Sequence, residues 1–276
     1  MNQVETSFGC IAVHEYGGGD PVVLLHANPG SHHDFDAVIG RLSERSRVIG
    51  VDFPGYGDSP PPSDPAAASA MMFADVAAQV VTALALPPAV IIGNSVGGYA
   101  AARLAIYHPE RVRALVLVDT GGFTPHNLQT RAFCRFKGSE IVTRRIAGRF
   151  ARNYLKKRNQ DVEAILERTD AGARVKTRVA IDAAVWRSFT HPEHDLRARA
   201  AKIACPVLLA WGAFDPVLKL KTDGRTTSRC LPGSRLVEFG TGHMPFAEDP
   251  EAFLAVVEPF LEKVASRASQ HVASDR

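Results

Sequence analysis

The segment Gly93-Asn94-Ser95-Val96-Gly97 places one serine between glycines two residues away on either side. A serine hydroxyl is a poor nucleophile at neutral pH. It needs a base to take its proton, an acid to orient that base, and donors for the oxyanion that develops when it attacks a carbonyl. The spacing is G-x-S-x-G, in which a sharp strand-to-helix turn lifts the hydroxyl above a sheet. The β-branched run Val90, Ile91 and Ile92 precedes it and the small residues Gly97 to Ala102 follow it, which supplies the strand and the helix that the turn requires.

His243, in FGTGHMPFAEDPEAF, is the base that the pattern favours, because it follows a predicted strand in a glycine-bearing loop. The other histidines are placed less well: His14 lies within a predicted strand, and His108, His126, His191, His194 and His271 fall at helix ends, in the middle third of the chain or in the tail. Two carboxylates are placed to orient the imidazole. Asp215 lies just beyond the apolar run in LLAWGAFDPVLKL, and Asp119 ends ALVLVDT; either could accept the proton-bearing ring nitrogen.

Seven short runs, IAVHEY, PVVLLHA, SRVIGVDF, AVIIGNS, ALVLVDT, PVLLAWG and RLVEFG, read as strands, and the continuously apolar ones suit a sheet buried on both faces. Helical patterns between them, at HHDFDAVIGRLSE, ASAMMFADVAAQVVTALAL and VGGYAAARLAIYH, with EAFLAVVEPFLEKVAS last, supply the crossovers of a doubly wound α/β sheet. Between Thr120 and Lys202 the alternation stops. SEIVTRRIAGRFARNYLKKR and DVEAILERT follow one another with no strand between, which predicts an inserted helical cap over residues 121–202, a core formed by 1–120 and 203–265, and a flexible tail at 266–276.

The chain of 276 residues, 46 % hydrophobic, is long enough for a sizeable core. Its net charge of +3 is too small to favour nucleic acid as a partner, although Pro125 to Ala200 holds 17 Lys and Arg against 8 Asp and Glu, a basic cap over an acidic base. No run reaches the roughly 20 apolar residues of a membrane helix. Cys10, Cys134, Cys205 and Cys230 are far apart and read as buried free thiols, in keeping with a cytoplasmic protein. His32 and His33 read as a surface pair rather than metal ligands, and nothing in the sequence calls for a metal or cofactor. Trp186, Phe133, Phe136 and Phe150 read as core packing more than as substrate contacts, with some expected to line an apolar pocket if the cap closes over Ser95.

With these residues assembled, the chain resembles the α/β-hydrolase family from about Ser7 to Val264. GNSVGG carries the resemblance together with HANPG (His26 to Gly30), similar to the family's HG-x-P loop with Ala27 in place of glycine. DFPGYGDS (Asp52 to Ser59) is similar to its D-x-x-G-x-G-x-S turn, and GTGHMPFAEDPEAF to its histidine segment. The resemblance implies a mostly parallel sheet with helices on both faces and a helical cap. It favours Asp215 over Asp119, since the family order is Ser, Asp, His. It also implies an oxyanion hole from the amides of Asn28 and Val96.

Serine at the elbow departs from the aspartate nucleophile of dehalogenases and epoxide hydrolases of this fold. Met244 stands where hydrolases of ring-fission products carry tryptophan after the histidine. The expectation is a cofactor-free serine hydrolase acting on a small to medium carboxylic ester as its small-molecule partner. The alternatives are carbon–carbon bond cleavage and a ligand receptor of the same fold with little turnover.

Overall fold

The computed structural model describes residues 1–274, with side chains described through Ser266. Eight strands form one sheet: β1 (Asn2–Thr6), β2 (Gly9–Tyr16), β3 (Asp20–Leu25), β4 (Ser46–Val51), β5 (Ala89–Asn94), β6 (Val112–Val118), β7 (Val207–Gly212) and β8 (Arg235–Phe239). Their spatial order is β1-β2-β4-β3-β5-β6-β7-β8. The pairs β1/β2 and β2/β4 are antiparallel and every other pair is parallel.

β1 is a strand the sequence did not reveal. It is the sheet edge, its pattern NQVET is polar, and only Val4 is buried, so it carries too little apolar signal to be seen as a strand.

The central strands read as continuous apolar runs because both faces are covered. Along β3, Val23 and Leu25 pack into one core and Val22 and Leu24 into the other, and β6 divides Leu115 and Leu117 from Val116 and Val118 in the same way. Helices α1 (Asp36–Ser43), α2 (Ala70–Ala83) and α3 (Val96–Tyr107) follow the first strands. α2 and α3 cover one face of the sheet and α1 covers the other.

The stretch after β6 is helical: α4 (Leu128–Lys137), α5 (Glu140–Tyr154), α6 (Gln160–Gly172) and α7 (Lys176–Ser188). Amphipathic α4 and α5 expose most of their length, and α7 buries its residues against the core. After α8 (Arg225–Cys230) and α9 (Pro245–Glu248), α10 runs Pro250–Ser274. The helix therefore continues through most of the segment read as a flexible tail at 266–276; the side chains beyond Ser266, and residues 275–276, lie outside the described residues. No helix among the described residues is long and apolar enough to cross a membrane.

Parallel strands bring their carboxyl ends to one edge, and the strand order reverses beside β3, where β4 lies on one side and β5 on the other. Ligands of open α/β sheets bind at such a point. The loop after β3, the elbow after β5 and the loops after β6, β7 and β8 all meet there.

Candidate active site

Ser95 lies between β5 and α3 with φ +56° and ψ −112°, a strained conformation for a residue with a side chain. The surrounding chain holds it there. The Ser95 amide donates to the Val118 carbonyl at 3.0 Å, and its own carbonyl accepts from Gly121 and Tyr99 at 2.9 and 3.0 Å. Glycine is required where the turn crosses its neighbours: a Cβ on Gly97 would lie 2.1 Å from the Leu25 carbonyl oxygen, and one on Gly93 would lie 2.4 Å from that of Gly97.

His243 is fully buried, and its Nδ1 lies 2.5 Å from Asp215 Oδ2. The other oxygen of Asp215 accepts from the amides of Val217 and Leu218 at 2.8 and 3.0 Å, so the carboxylate cannot swing away from the ring. With Nδ1 donating to a carboxylate, Nε2 is the basic nitrogen, and it is buried without a partner. Asn94 Nδ2 donates to the His243 carbonyl at 3.0 Å, which ties the residue before the serine to the imidazole's own backbone. Ser95 Oγ and His243 Nε2 are not hydrogen-bonded to each other, and such contacts commonly tighten only when substrate fills the site.

Asp119, the rival acid, is buried with φ +40° and accepts from the Gly212 amide at 3.0 Å. It lies within 4.8 Å of both Asp215 and the ring, but only Asp215 is hydrogen-bonded to the imidazole. Burial first, and then the negative charge of Asp215, push its carboxyl well above the ordinary range. Asp215 is therefore the carboxylate on the imidazole, and Asp119 stands behind it.

Two supporting residues escaped the sequence. Glu248 is buried and gathers the amides of Gly242, Met244, Lys156 and Lys157 at 2.7 to 3.2 Å, joining the histidine loop to the end of α5. Tyr154 packs its ring on His243 at 4.0 Å between centroids, and its carbonyl accepts the His243 amide at 3.1 Å. The acid in GHMPFAE was a visible signal for the first; nothing in the sequence marked the second, because it arrives from the cap.

Val96 is the first residue of α3, so its amide has no acceptor within the helix. Among the described residues the Asn28 amide has none either. Ala27 does not take a positive φ, so alanine replaces the family's glycine without backbone strain. The Asn28 side chain is anchored by the cap and the turn after β4: its Nδ2 donates to the Asp182 carbonyl at 3.1 Å, and the Tyr56 hydroxyl lies between Asn28 Oδ1 and the Asp182 carboxyl group.

His26 braces the same loop. Its Nδ1 donates to the Ala27 carbonyl at 2.7 Å and its Nε2 accepts from the Phe53 amide at 3.0 Å, which requires a neutral ring; burial pushes its pKa down to about 4. Between pH 6.5 and about 4 the unfolded chain binds a proton that the folded chain refuses. Stability contributed by neutral His26 is therefore lost as pH falls through that window, by about 3 kcal/mol in all. Urea unfolding of wild type and His26→Gln from pH 7 to 4 should show a shallower loss in the variant. His194, also lowered to about 4 chiefly by burial, leaves some slope in both.

Asp52 accepts from the backbone of His32 and Asp58 at 2.7 and 3.0 Å, as a structural turn requires. His32, read as half of a surface pair, is instead buried against Asp52, because the turn places that carboxylate under its ring. His14, His32 and Asp52 have the proximity of metal ligands. However, the His14 and His32 rings stack at 3.5 Å within 12° of parallel, so their in-plane lone pairs do not converge on one ion. Of the four thiols only Cys134 is buried; the others are partly exposed, near loops and strand ends.

A chamber of about 500 Å³ opens above Ser95 and Val96, lined by Phe133, Val185, Trp186 and Phe189 of the cap and by Val217 and Leu218. Phe133 and Trp186 line the cavity, as expected of some of these aromatics beneath a cap over Ser95, whereas Phe136 points mostly into solvent.

A family model described as alpha/beta hydrolase fold matches residues 20–250. The chain is 32 % identical over 268 residues to a pimeloyl-[acyl-carrier protein] methyl ester esterase of Neisseria meningitidis serogroup A, covering 90 % of this chain and 78 % of the relative. It is 30 % identical over 268 residues to the protein of the same name from Chromobacterium violaceum, covering 92 % and 98 %. Among solved structures, a thermophilic esterase from Thermogutta terrifontis superposes with a TM-score of 0.81 at 25 % identity, over 95 % of this chain and 98 % of the other.

Proposed function

The chain belongs to the α/β-hydrolase fold family and is a hydrolase, and from that premise we propose that it cleaves small to medium carboxylic esters through an acyl-enzyme on Ser95. The observation that carries this reading is the buried His243 ring: Asp215 fixes its tautomer at 2.5 Å, and its basic nitrogen is left unpartnered beside the elbow. Curated relatives named as methyl ester esterases support an ester as the bond.

His243 Nε2 takes the Ser95 proton as Oγ attacks the carbonyl carbon. The carbonyl oxygen becomes an oxyanion, held by the Asn28 and Val96 amides, each donor stabilising the transition state by about 2.7–4 kcal/mol. The tetrahedral species collapses, the alcohol leaves with the proton from the imidazolium, and Asp215 stabilises that cation while it exists. Water then gives its proton to His243 and attacks the acyl carbon, which releases the acid and restores Ser95. Nothing in this sequence of steps draws on a metal or redox cofactor.

In this reading the cap, residues 121–202, encloses the acyl and alcohol groups over a core of 1–120 and 203–265, and the enzyme works in the cytoplasm. Steady-state hydrolysis of a chain-length series of p-nitrophenyl esters tests the reading. Multiple turnover with a maximum at short or medium chains is the expected result. Absence of turnover with every ester would remove it and bring forward carbon–carbon cleavage or a receptor role.

A further inference from the structure

A second chamber, of about 50 Å³, lies on the other side of Trp186 and Asn28 from the large one, and both residues line the two chambers. Its walls include Tyr154 and Met244 beside the imidazole, Phe150, Asp182 and Lys137. Lys137, the last residue of α4, is only 3 % exposed. Its ammonium lies 3.8 Å from the centroid of Phe150 and 5.5 Å from that of Trp186, and among the described residues it has no ion pair and no hydrogen-bond acceptor.

A buried ammonium loses its hydration, and ring faces return only part of it. The nearest candidate counter-ion is already engaged. Asp182 takes the Tyr56 hydroxyl, and Arg178 is stacked 4.3 Å from the Tyr56 ring. Among the described residues neither cation forms an ion pair with that carboxylate, and Lys137 is the one that lines the chamber. Burial pulls the Lys137 ammonium down only to about 8, so it remains charged at neutral pH.

We propose that Lys137 is a specificity residue that binds the free carboxylate of a half-ester of a short dicarboxylic acid, the carboxylate end of the acyl arm reaching from the large chamber into the small one. Asn28 adjoins both chambers, so a carbonyl oxygen on its amide has one chamber on each side. The chamber's volume holds a carboxylate group and little more, and one ammonium matches one carboxylate.

This inference rests on the ester-hydrolase reading, and its test separates the two. Mono-p-nitrophenyl glutarate and p-nitrophenyl pentanoate are compared on wild type, Lys137→Met, Lys137→Gln and Lys137→Arg, and glutarate binding to wild type and Lys137→Met is measured by calorimetry. In wild type the half-ester is preferred. Its kcat/KM relative to the neutral ester falls about 30-fold or more in the Met and Gln variants, mainly through KM, and Arg restores part of the preference. The wild-type KM for the half-ester rises as pH passes about 8.

Glutarate that binds wild type and not Lys137→Met upholds the subsite even if no ester turns over, in which case only the hydrolase reading falls. If the neutral ester turns over but the preference is absent or unchanged in the Met and Gln variants, the subsite falls and the hydrolase stands. Glutarate that fails to bind wild type overturns the subsite without reference to any variant.

Discussion

Ser95→Ala and His243→Ala each lower kcat for the best p-nitrophenyl ester by about 10⁴-fold or more, and the double variant loses little beyond either one. The reason is that the two side chains act in one step: an alanine at 95 leaves nothing to attack, and an alanine at 243 leaves the hydroxyl protonated. The amides of Asn28 and Val96 and the chamber walls survive both changes, so KM moves far less than kcat. Neither substitution should disturb the fold, because the elbow is held by backbone bonds to Val118, Gly121 and Tyr99. Burst and steady-state kinetics on the purified variants, with melting temperature as the control, decide it. A Ser95→Ala variant that keeps more than about a tenth of wild-type activity would exclude Ser95 as the nucleophile.

Asp215→Asn costs about 10⁴-fold in kcat, whereas Asp119→Asn costs about tenfold or less. The two carboxyl groups are close together, yet their surroundings separate their roles. Asp215 accepts two amides and the imidazole. An asparagine there would turn an N–H toward Nδ1, reverse the tautomer and leave Nε2 carrying the proton, unable to act as a base. The Asp119 carboxyl is pushed well above the ordinary range by burial and then by the Asp215 charge. An amide in its place can donate toward Asp215 and still accepts from Gly212. Steady-state kinetics of both variants test the division of roles, and a larger loss from Asp119→Asn would reverse it.

The elbow, the histidine loop and the alternating strands were legible because each is a local pattern. G-x-S-x-G encodes a turn that admits no Cβ at Gly93 or Gly97, and the central strands are apolar on both faces because both are covered. β1 was invisible because an edge strand with one buried residue has no such pattern. The buried position of His32 was missed because the carboxylate beneath it is 20 residues away in sequence.

By itself, then, the sequence determined the chemistry on offer: a serine at a strained turn, a histidine and two carboxylates at strand ends, and a helical insertion. Local sterics and hydrophobic periodicity are written into neighbouring residues. Only the tertiary structure decided which carboxylate meets the imidazole, that Glu248 and Tyr154 lock the histidine loop to the cap, and that Lys137 carries a buried charge beside the site. These outcomes depend on desolvation and on contacts between segments far apart in the chain, and neither exists until the chain is folded.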